Sequence, residues 1–202
     1  MIVISNALTV VNEIKIIHSL FEKELSLFHI RKPDFSELEM AQFIQQINPE
    51  HRNKLVLHSH HELAEDLGII RFHFSEKERE NRHNVSARLS NLYKNKSKSA
   101  STHSIEDFNS LESDFDYAFL SPVFKSISKE NYHPKTDLFK ALKLRTNYKT
   151  KTIALGGINS KNIQKTLENG FDNIALLGAV WSNTNPVKEF KLCQKIVRSH
   201  LQ

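Results

Sequence analysis

Short apolar runs recur along the chain, and each is followed by a segment with helical spacing. Runs such as Ile2–Ile4 and Ile153–Leu155 lack polar alternation, which is typical of strands buried on both faces of a parallel sheet. The segment Glu13–Lys23 instead carries apolar residues three and four positions apart, as amphipathic helices do. This alternation predicts an α/β fold with a parallel sheet.

Eight such strand–helix units can be traced along the chain. The predicted strands are 2–4, 25–30, 54–57, 69–74, 98–101, 116–120 and two late strands that begin at Thr152 and Asn173. The predicted helices are 13–23, 36–47, a short one ending at Leu67, 76–95, one beginning at Ser104, 137–144, 160–169 and 186–200. A count of eight favours a closed (β/α)8 barrel in one compact domain over residues 1–202. An open flavodoxin-like sheet is the alternative.

The amino-acid composition indicates the cellular environment in which we expect the protein. With 39% hydrophobic and 25% charged residues, the chain has the composition of an ordinary soluble protein. Its one cysteine, Cys193, excludes an internal disulfide and fits a reducing compartment. We find no signal-like leader and no apolar run of membrane-spanning length. The sequence predicts a cytoplasmic protein without a membrane partner, and it leaves a homo-oligomer open.

The net charge of +5 and the isoelectric point near 9.2 raise the question of nucleic acid. The lysines are scattered, apart from 94–98 and 143–151, and we find no nucleic-acid-binding motif. A basic pocket for phosphorylated small molecules accounts for the same charge. We therefore expect such ligands and no nucleic acid.

Two late glycine turns predict where a phosphate binds. Gly156 and Gly157 end one apolar run, and Gly178 ends the next. Glycine allows positive φ, and the free N–H groups at the start of the following helix attract phosphate. In a barrel, this late pair of turns is the usual phosphate site. Simple tight turns are the alternative.

Residues after the other predicted strands are rich in cations and hydroxyls, which suit a ligand with more than one phosphate. These residues are Arg31, Lys32, His58, Ser59, His60, Ser75, Glu76, Ser101, His103 and the stretch 121–129. That stretch carries Ser126, Ser128 and Lys129 in a long loop. Such a loop can close over bound substrate and exclude water.

Eleven histidines raise the question of a metal site. His58, His60 and His61 are neighbours in sequence, but no carboxylate accompanies them and helical HxxxH spacing is absent. We expect His73 and His103 to be hydrogen-bonded structural groups. The sequence alone identifies no metal ligand.

Five stretches resemble motifs of the thiamine phosphate synthase family, which includes thiazole tautomerases. They span the chain from the second to the last predicted strand. Residues 28–32 (Phe-His-Ile-Arg-Lys) are similar to its Gln-hydrophobic-Arg-x-Lys motif, and 72–74 (Phe-His-Phe) to its Val-His-Val/Leu strand. Residues 100–103 (Ala-Ser-Thr-His) resemble Val-Ser-x-His. Residues 121–129 resemble Gly-Pro-Ile/Val-Phe-x-Thr-x-Thr-Lys, and 154–158 (Ala-Leu-Gly-Gly-Ile) resemble Ala-Ile-Gly-Gly-Ile.

The resemblance implies a transferase that joins hydroxymethylpyrimidine diphosphate to thiazole phosphate, releasing pyrophosphate and using Mg2+. The implied catalytic residues are Arg31, Ser101 and Lys129. The resemblance implies phosphate-binding roles for Ser126, Ser128 and Gly157. The strand-end and glycine-turn positions add Lys32, His58 and Gly178 as further candidates for phosphate binding. Cations, hydroxyls and a metal would stabilise the departing pyrophosphate.

The sequence departs from the family motifs at the positions of the metal ligands. The family's Asn-Asp after the third strand is His58-Ser59 here. The second family carboxylate has Glu78 as its nearest counterpart. A tautomerase needs neither pyrophosphate nor Mg2+, but this chain has Pro122 where tautomerases have a catalytic histidine. The alternatives to a synthase are therefore a thiazole tautomerase-like isomerase, in which His58 would be the acid or base, and a non-catalytic phosphate-binding barrel.

Overall fold

The computed structural model describes residues 1–81, 87–125, 134 and 136–200, and within these ranges eight parallel strands form a single sheet. The strands are β1 (Ile2–Ile4), β2 (Leu27–Ile30), β3 (Leu55–Leu57), β4 (Arg71–Phe74), β5 (Ser97–Thr102), β6 (Tyr117–Leu120), β7 (Lys151–Ala154) and β8 (Asn173–Leu176). All are short and largely buried, as the apolar runs predict.

The sheet closes on itself. Each strand pairs in parallel with its neighbour in sequence, and β1 pairs with β8 through Ile2 and Ala175. Closure leaves no edge strand. The prediction of a (β/α)8 barrel is confirmed, and the open-sheet alternative is wrong.

Helices connect the strands and cover the outside of the barrel. They are α1 (Glu13–Glu22), α2 (Glu37–Gln45), α3 (Ala64–Leu67), α4 (Glu76–Glu80), α5 (Ala87–Leu92), α6 (Ile105–Asn109), α7 (Leu138–Leu142), α8 (Ile163–Glu168), α9 (Gly178–Trp181) and α10 (Pro186–His200). Two 3-10 turns, Pro49–Lys54 and His61–Leu63, precede β3 and α3. None of the helices in the described ranges is both long and apolar enough to cross a membrane.

Local sequence signals fix several helix ends. The Ser36 hydroxyl accepts a hydrogen bond from the Glu39 N–H, and the Glu39 carboxylate accepts one from the Ser36 N–H, which completes a capping box. Gly68 ends α3 with φ +68°, a conformation that glycine adopts readily. The predicted helix 76–95 contains α4 and α5, and residues 82–86 between them lie outside the described part of the chain.

Apolar side chains form two cores. The larger core lies between the sheet and the helices, and a smaller one fills the barrel with Ile2, Ile4, Tyr117, Phe119, Ile153 and Ala175. Successive residues of a strand point to opposite faces, so each strand contributes alternate residues to the interior. On β4 and β5 these inward residues include His73 and Ser99, which are paired in register and buried. The barrel interior is thus apolar on one side and polar on the other.

Candidate functional site

A cavity of about 540 Å³ opens where the strands end, the end at which (β/α)8 enzymes bind substrate. Many of the residues predicted from strand ends or the glycine turns line it: Arg31, His58, Ser75, Glu76, Ser101, His103, Ser121, Pro122, Gly156, Gly157 and Gly178. Ile4, Phe119 and Leu155 give it an apolar floor. A cavity of this size, with an apolar base and a polar rim, is suited to a small organic ligand.

The glycine turn after β7 forms one wall of this cavity. Gly156 and Gly157 have φ values of +95° and +66°. A Cβ on Gly156 would lie 2.7 Å from the Pro122 Cβ, and one on Gly157 would meet the Lys125 carbonyl oxygen. The Phe124 N–H also donates to the Gly156 carbonyl at 3.0 Å. Glycine is therefore required here for the close approach of the loop that follows β6.

Gly178 contributes to the same wall in a different conformation. It is the first residue of helix α9 and does not have positive φ. The first N–H groups of a helix have no intrahelical acceptor. Backbone N–H groups therefore lie beside the cavity, and their binding of phosphate stays a prediction.

Arg31 follows β2 and is held at the cavity by its backbone. The Ser5 hydroxyl donates to the Arg31 carbonyl at 3.0 Å and accepts from the Arg31 N–H at 2.8 Å. Among the residues that the structure describes, the Arg31 guanidinium forms no ion pair. Its charge is therefore available to an anionic ligand.

A group of histidines lies below the rim, on the polar side of the barrel. His29 Nδ1 is 2.9 Å from His58 Nε2, and His29 Nε2 is 2.8 Å from the Tyr117 hydroxyl. The His58 ring stacks on the His73 ring with centroids 4.0 Å apart. His73 Nε2 in turn lies 2.9 Å from the Ser101 hydroxyl, which connects the group to the cavity.

Burial determines the charge of these imidazoles. Desolvation lowers the pKa of His73 from 6.5 to about 3 and lowers the pKa values of His29 and His58 well below 6.5. A neutral imidazole is a donor at one nitrogen and an acceptor at the other. At neutral pH the group is therefore an uncharged cluster of nitrogen lone pairs and N–H donors.

The prediction that Lys32 binds phosphate is corrected by the structure. Its Nζ donates to Glu13 Oε2 at 2.6 Å and to the Leu8 carbonyl at 2.9 Å, and the side chain is buried away from the cavity. The physical reason is the alternation of side chains along an extended chain: Arg31 points to the cavity, so Lys32 points to the helices.

The histidines that are neighbours in sequence have different hydrogen-bond partners and do not form one group. His60 Nε2 contacts the Phe35 carbonyl, and His61 contacts the Tyr93 hydroxyl and the Leu57 carbonyl. His103 donates from Nδ1 to the Ser121 carbonyl at 3.0 Å, as expected of a structural group. Ser126, Ser128 and Lys129 lie outside the described residues, and their roles stay predictions.

Sequence reasoning missed several residues of the site. His29 and Tyr117 lie inside strands, and Lys77 lies one residue beyond the predicted strand-end set. A signal for His29 was present, because it lies two residues before Arg31 and so shares its face of the strand. No local signal pointed to Tyr117, which approaches His29 only through closure of the barrel.

The comparisons with known proteins agree with this arrangement. The family model described as "Thiamine monophosphate synthase" matches residues 1–180. The chain belongs to this family. Its thiamine-phosphate synthase relatives include one from Prochlorococcus marinus, 35% identical over 43% of this chain, and one from Syntrophomonas wolfei, 37% identical over 32% of it. These matches cover 25% and 31% of the two relatives, so the chain matches less than a third of their length.

Solved structures match over the whole barrel. A thiamine phosphate pyrophosphorylase from Bacteroides thetaiotaomicron is 25% identical, with a TM-score of 0.74 over 98% of this chain and 97% of that one. The corresponding protein from Pyrococcus furiosus is 19% identical, with a TM-score of 0.78 over 100% and 96% of the two chains. At 19% identity the second match supports the fold alone.

Proposed function

We propose that this protein is a thiamine phosphate synthase: it joins hydroxymethylpyrimidine diphosphate to thiazole phosphate and releases pyrophosphate. The observation that carries the proposal is the convergence of Arg31, Ser101 and the two glycine turns on one cavity. Family membership supports the same reaction class. The implied partners are phosphorylated pyrimidine and thiazole compounds.

The residues around the cavity suit the demands of this reaction. Departure of pyrophosphate leaves negative charge on the leaving group and positive charge on the pyrimidine methylene. Arg31 presents a fork of donors for phosphate oxygens, and Ser101 presents a short hydroxyl donor. Backbone N–H groups near Gly157 and Gly178 are proposed to bind the thiazole phosphate. Lys129, with Ser126 and Ser128, is proposed to complete the pyrophosphate site.

The described residues do not fit the Mg2+ site that the family implies. Mg2+ prefers carboxylate and water oxygens, but Glu76 is the one carboxylate among the described residues that line the cavity. The Glu78 carboxylate accepts hydrogen bonds from the Ser75 N–H and hydroxyl at 2.8 and 2.5 Å, so it caps α4. Ser59 stands where the family's other carboxylate is expected.

Pyrophosphate release from the purified protein tests the proposal. Given both precursors, the wild-type protein is expected to release pyrophosphate, whereas Lys129→Ala is expected to lose this release and keep its circular dichroism spectrum. Lys140→Ala is the matched control, since the Lys140 side chain is 84% exposed on α7, and it should retain wild-type turnover. A folded wild-type protein that releases no pyrophosphate with any divalent metal would overturn the proposal.

One observation favours an isomerase as the second candidate. His58 lines the cavity, and its Nδ1 has no hydrogen-bond partner among the described residues, so this nitrogen is available to a ligand. An isomerase would convert the thiazole tautomer without added metal and would lose this activity in His58→Ala. Ligand binding with neither activity would identify a non-catalytic barrel.

A further inference from the structure

Three histidines on different strands surround a common space in the barrel. One ring nitrogen from each of His29, His58 and His73 lies within 4.8 Å of the corresponding nitrogens of the other two. The three residues come from β2, from the end of β3 and from β4. Because they are distant in sequence and adjacent in space, the barrel itself creates the cluster.

Hydrogen bonds to the remaining nitrogens orient two of the three rings. The Ser99 hydroxyl donates to the Phe72 carbonyl at 3.2 Å, so in its 2.9 Å contact with His73 Nδ1 it must accept. His73 Nε2 therefore carries the lone pair. The Tyr117 hydroxyl contacts His29 at Nε2, which leaves Nδ1 directed at His58. Partners of this kind orient metal-binding histidines in proteins.

One side of the cluster faces the cavity. His58 and Ser101 both line the cavity, and Ser101 also contacts His73 Nε2. Three protein ligands with one open position are typical of catalytic zinc sites, in which water or substrate takes the fourth position. A ligand in the cavity would have access to an ion held by these rings.

The chemistry of the donors selects the class of ion. Imidazole nitrogen suits Zn2+, Co2+, Ni2+ and Cu2+, whereas Mg2+ requires oxygen ligands. We propose that His29, His58 and His73 form a binding site for a divalent transition metal ion of the Zn2+ class at the base of the cavity. The site uses residues other than the carboxylates that the family employs for Mg2+.

Binding an ion requires a local rearrangement. His29 Nδ1 and His58 Nε2 share a hydrogen bond, and the stacked rings of His58 and His73 are 25° from parallel. Lone pairs of nearly parallel rings do not converge, so the His58 ring must rotate to direct a nitrogen at the ion. His58 is the ring best placed to rotate, because it is only partly buried while His29 and His73 are fully enclosed.

An ion here would have a direct use in the proposed reaction. Bound beside the cavity, it would add positive charge near a diphosphate leaving group, together with Arg31. This consequence depends on the proposed synthase function, but the metal site does not. Metal binding without substrate therefore tests the site separately from the activity.

The experiment is a titration of the chelator-treated, tag-free full chain with Co2+ and, separately, with Zn2+. We expect one Co2+ per chain, with the visible absorption of a nitrogen-ligated ion, and displacement of Co2+ by Zn2+. With Arg31 on the arginine of the family's Gln-hydrophobic-Arg motif, His29 is at the position of the glutamine, and His58 is at that of the family's asparagine. His29→Gln and His58→Asn therefore restore the residues of the family motifs. Removing a residue that only hydrogen-bonds to a metal ligand lowers metal affinity roughly 10- to 100-fold. Because these two variants each remove a ligand itself, each is expected to weaken Co2+ binding by more than that. Circular dichroism melting establishes that each variant is folded.

The control variant is His60→Asn. His60 is a sequence neighbour of His58 but lies outside the cluster, and its φ of +53° is one that asparagine tolerates. It should bind Co2+ as the wild type does. Absence of Co2+ and Zn2+ binding by the folded wild type would overturn the proposal. Retention of Co2+ in both folded cluster variants, or its loss in His60→Asn, would also overturn it.

Discussion

The Nζ of Lys32 lies 2.6 Å from Oε2 of Glu13, with the two side chains 0% and 3% exposed. The pair joins the chain after β2 to the first turn of α1. Burial raises the pKa of Glu13 even though Lys32 acts in the opposite direction. Desolvation of the carboxylate thus outweighs its attraction to the ammonium, which is common for enclosed ion pairs.

Removal of one partner of this pair should destabilise the fold strongly. Lys32→Met leaves Glu13 buried without a counter-charge, and the expected loss in the free energy of unfolding is about 3–5 kcal/mol. Urea unfolding followed by circular dichroism measures it. Lys140→Met, which removes an exposed contact with Asp137, should change stability little. Equal stability of the two variants would contradict the prediction.

Gly157→Ala should disturb the cavity wall. The new Cβ would lie 2.7 Å from the Phe124 Cβ and against the Lys125 carbonyl, so the loop after β6 must move. Holding an alanine in the left-handed backbone conformation costs roughly 1–2 kcal/mol by itself, and we expect Gly157→Ala to lower the free energy of unfolding by more than this. We also expect weaker binding of inorganic pyrophosphate, measured by calorimetry.

Gly68→Ala is the matched control for Gly157→Ala. Gly68 has nearly the same φ, +68°, but a Cβ added there would have no atom within 4 Å. The Gly68→Ala variant should lose only the about 1–2 kcal/mol of unfolding free energy that a left-handed backbone conformation costs an alanine. Its pyrophosphate binding should be unchanged. Equal effects of the two substitutions would show that the contact with the loop contributes nothing.

Arg31→Lys should weaken pyrophosphate binding although it keeps the charge. The guanidinium offers a planar fork, whereas lysine offers a single point charge. A lost charge-assisted hydrogen bond corresponds to about 1.5–3 kcal/mol, or roughly 10- to 100-fold in affinity. Calorimetry with inorganic pyrophosphate measures this. Arg198→Lys, at the exposed pair with Glu24, serves as the control, and equal affinities of the two variants would contradict a role for Arg31.

The strands and the cavity rim could be predicted from the sequence because both depend on local patterns. Apolar runs identified most of the strands, although β5 (Ser97–Thr102) is largely polar. The rule that ligands bind at strand ends grouped Arg31, His58 and Ser101 without knowledge of the fold's geometry. Helix ends with a capping box, such as Ser36 with Glu39, were equally local.

The histidine cluster could not be predicted, because it depends on register and closure. His29 and His73 are 44 positions apart in the sequence, and only the barrel brings their ring centroids to 5.4 Å. The misassignment of Lys32 has a related cause. A residue just after a strand lies near the mouth of the cavity, but alternation along the extended chain decides whether its side chain points into the cavity or away from it. Lys32 follows Arg31 and therefore points away.

His61→Phe should reduce the sensitivity of the fold to acid. His61 Nε2 donates to the Leu57 carbonyl at 3.1 Å, so Nδ1 accepts from the Tyr93 hydroxyl at 2.9 Å, and the ring is neutral. Burial lowers the pKa of His61. The unfolded chain therefore binds a proton more readily, and stability is lost as the pH falls below the unfolded value of about 6.5. Above that pH both states are neutral and the residue contributes no pH dependence.

Urea unfolding between about pH 8 and pH 5 tests the effect of His61→Phe. The free energy of unfolding should decline less steeply with falling pH in this variant than in the wild type, by up to about 1.4 kcal/mol per pH unit in the acid range. The difference at pH 8 measures the lost hydrogen bonds, and parallel curves for the two proteins would contradict the prediction.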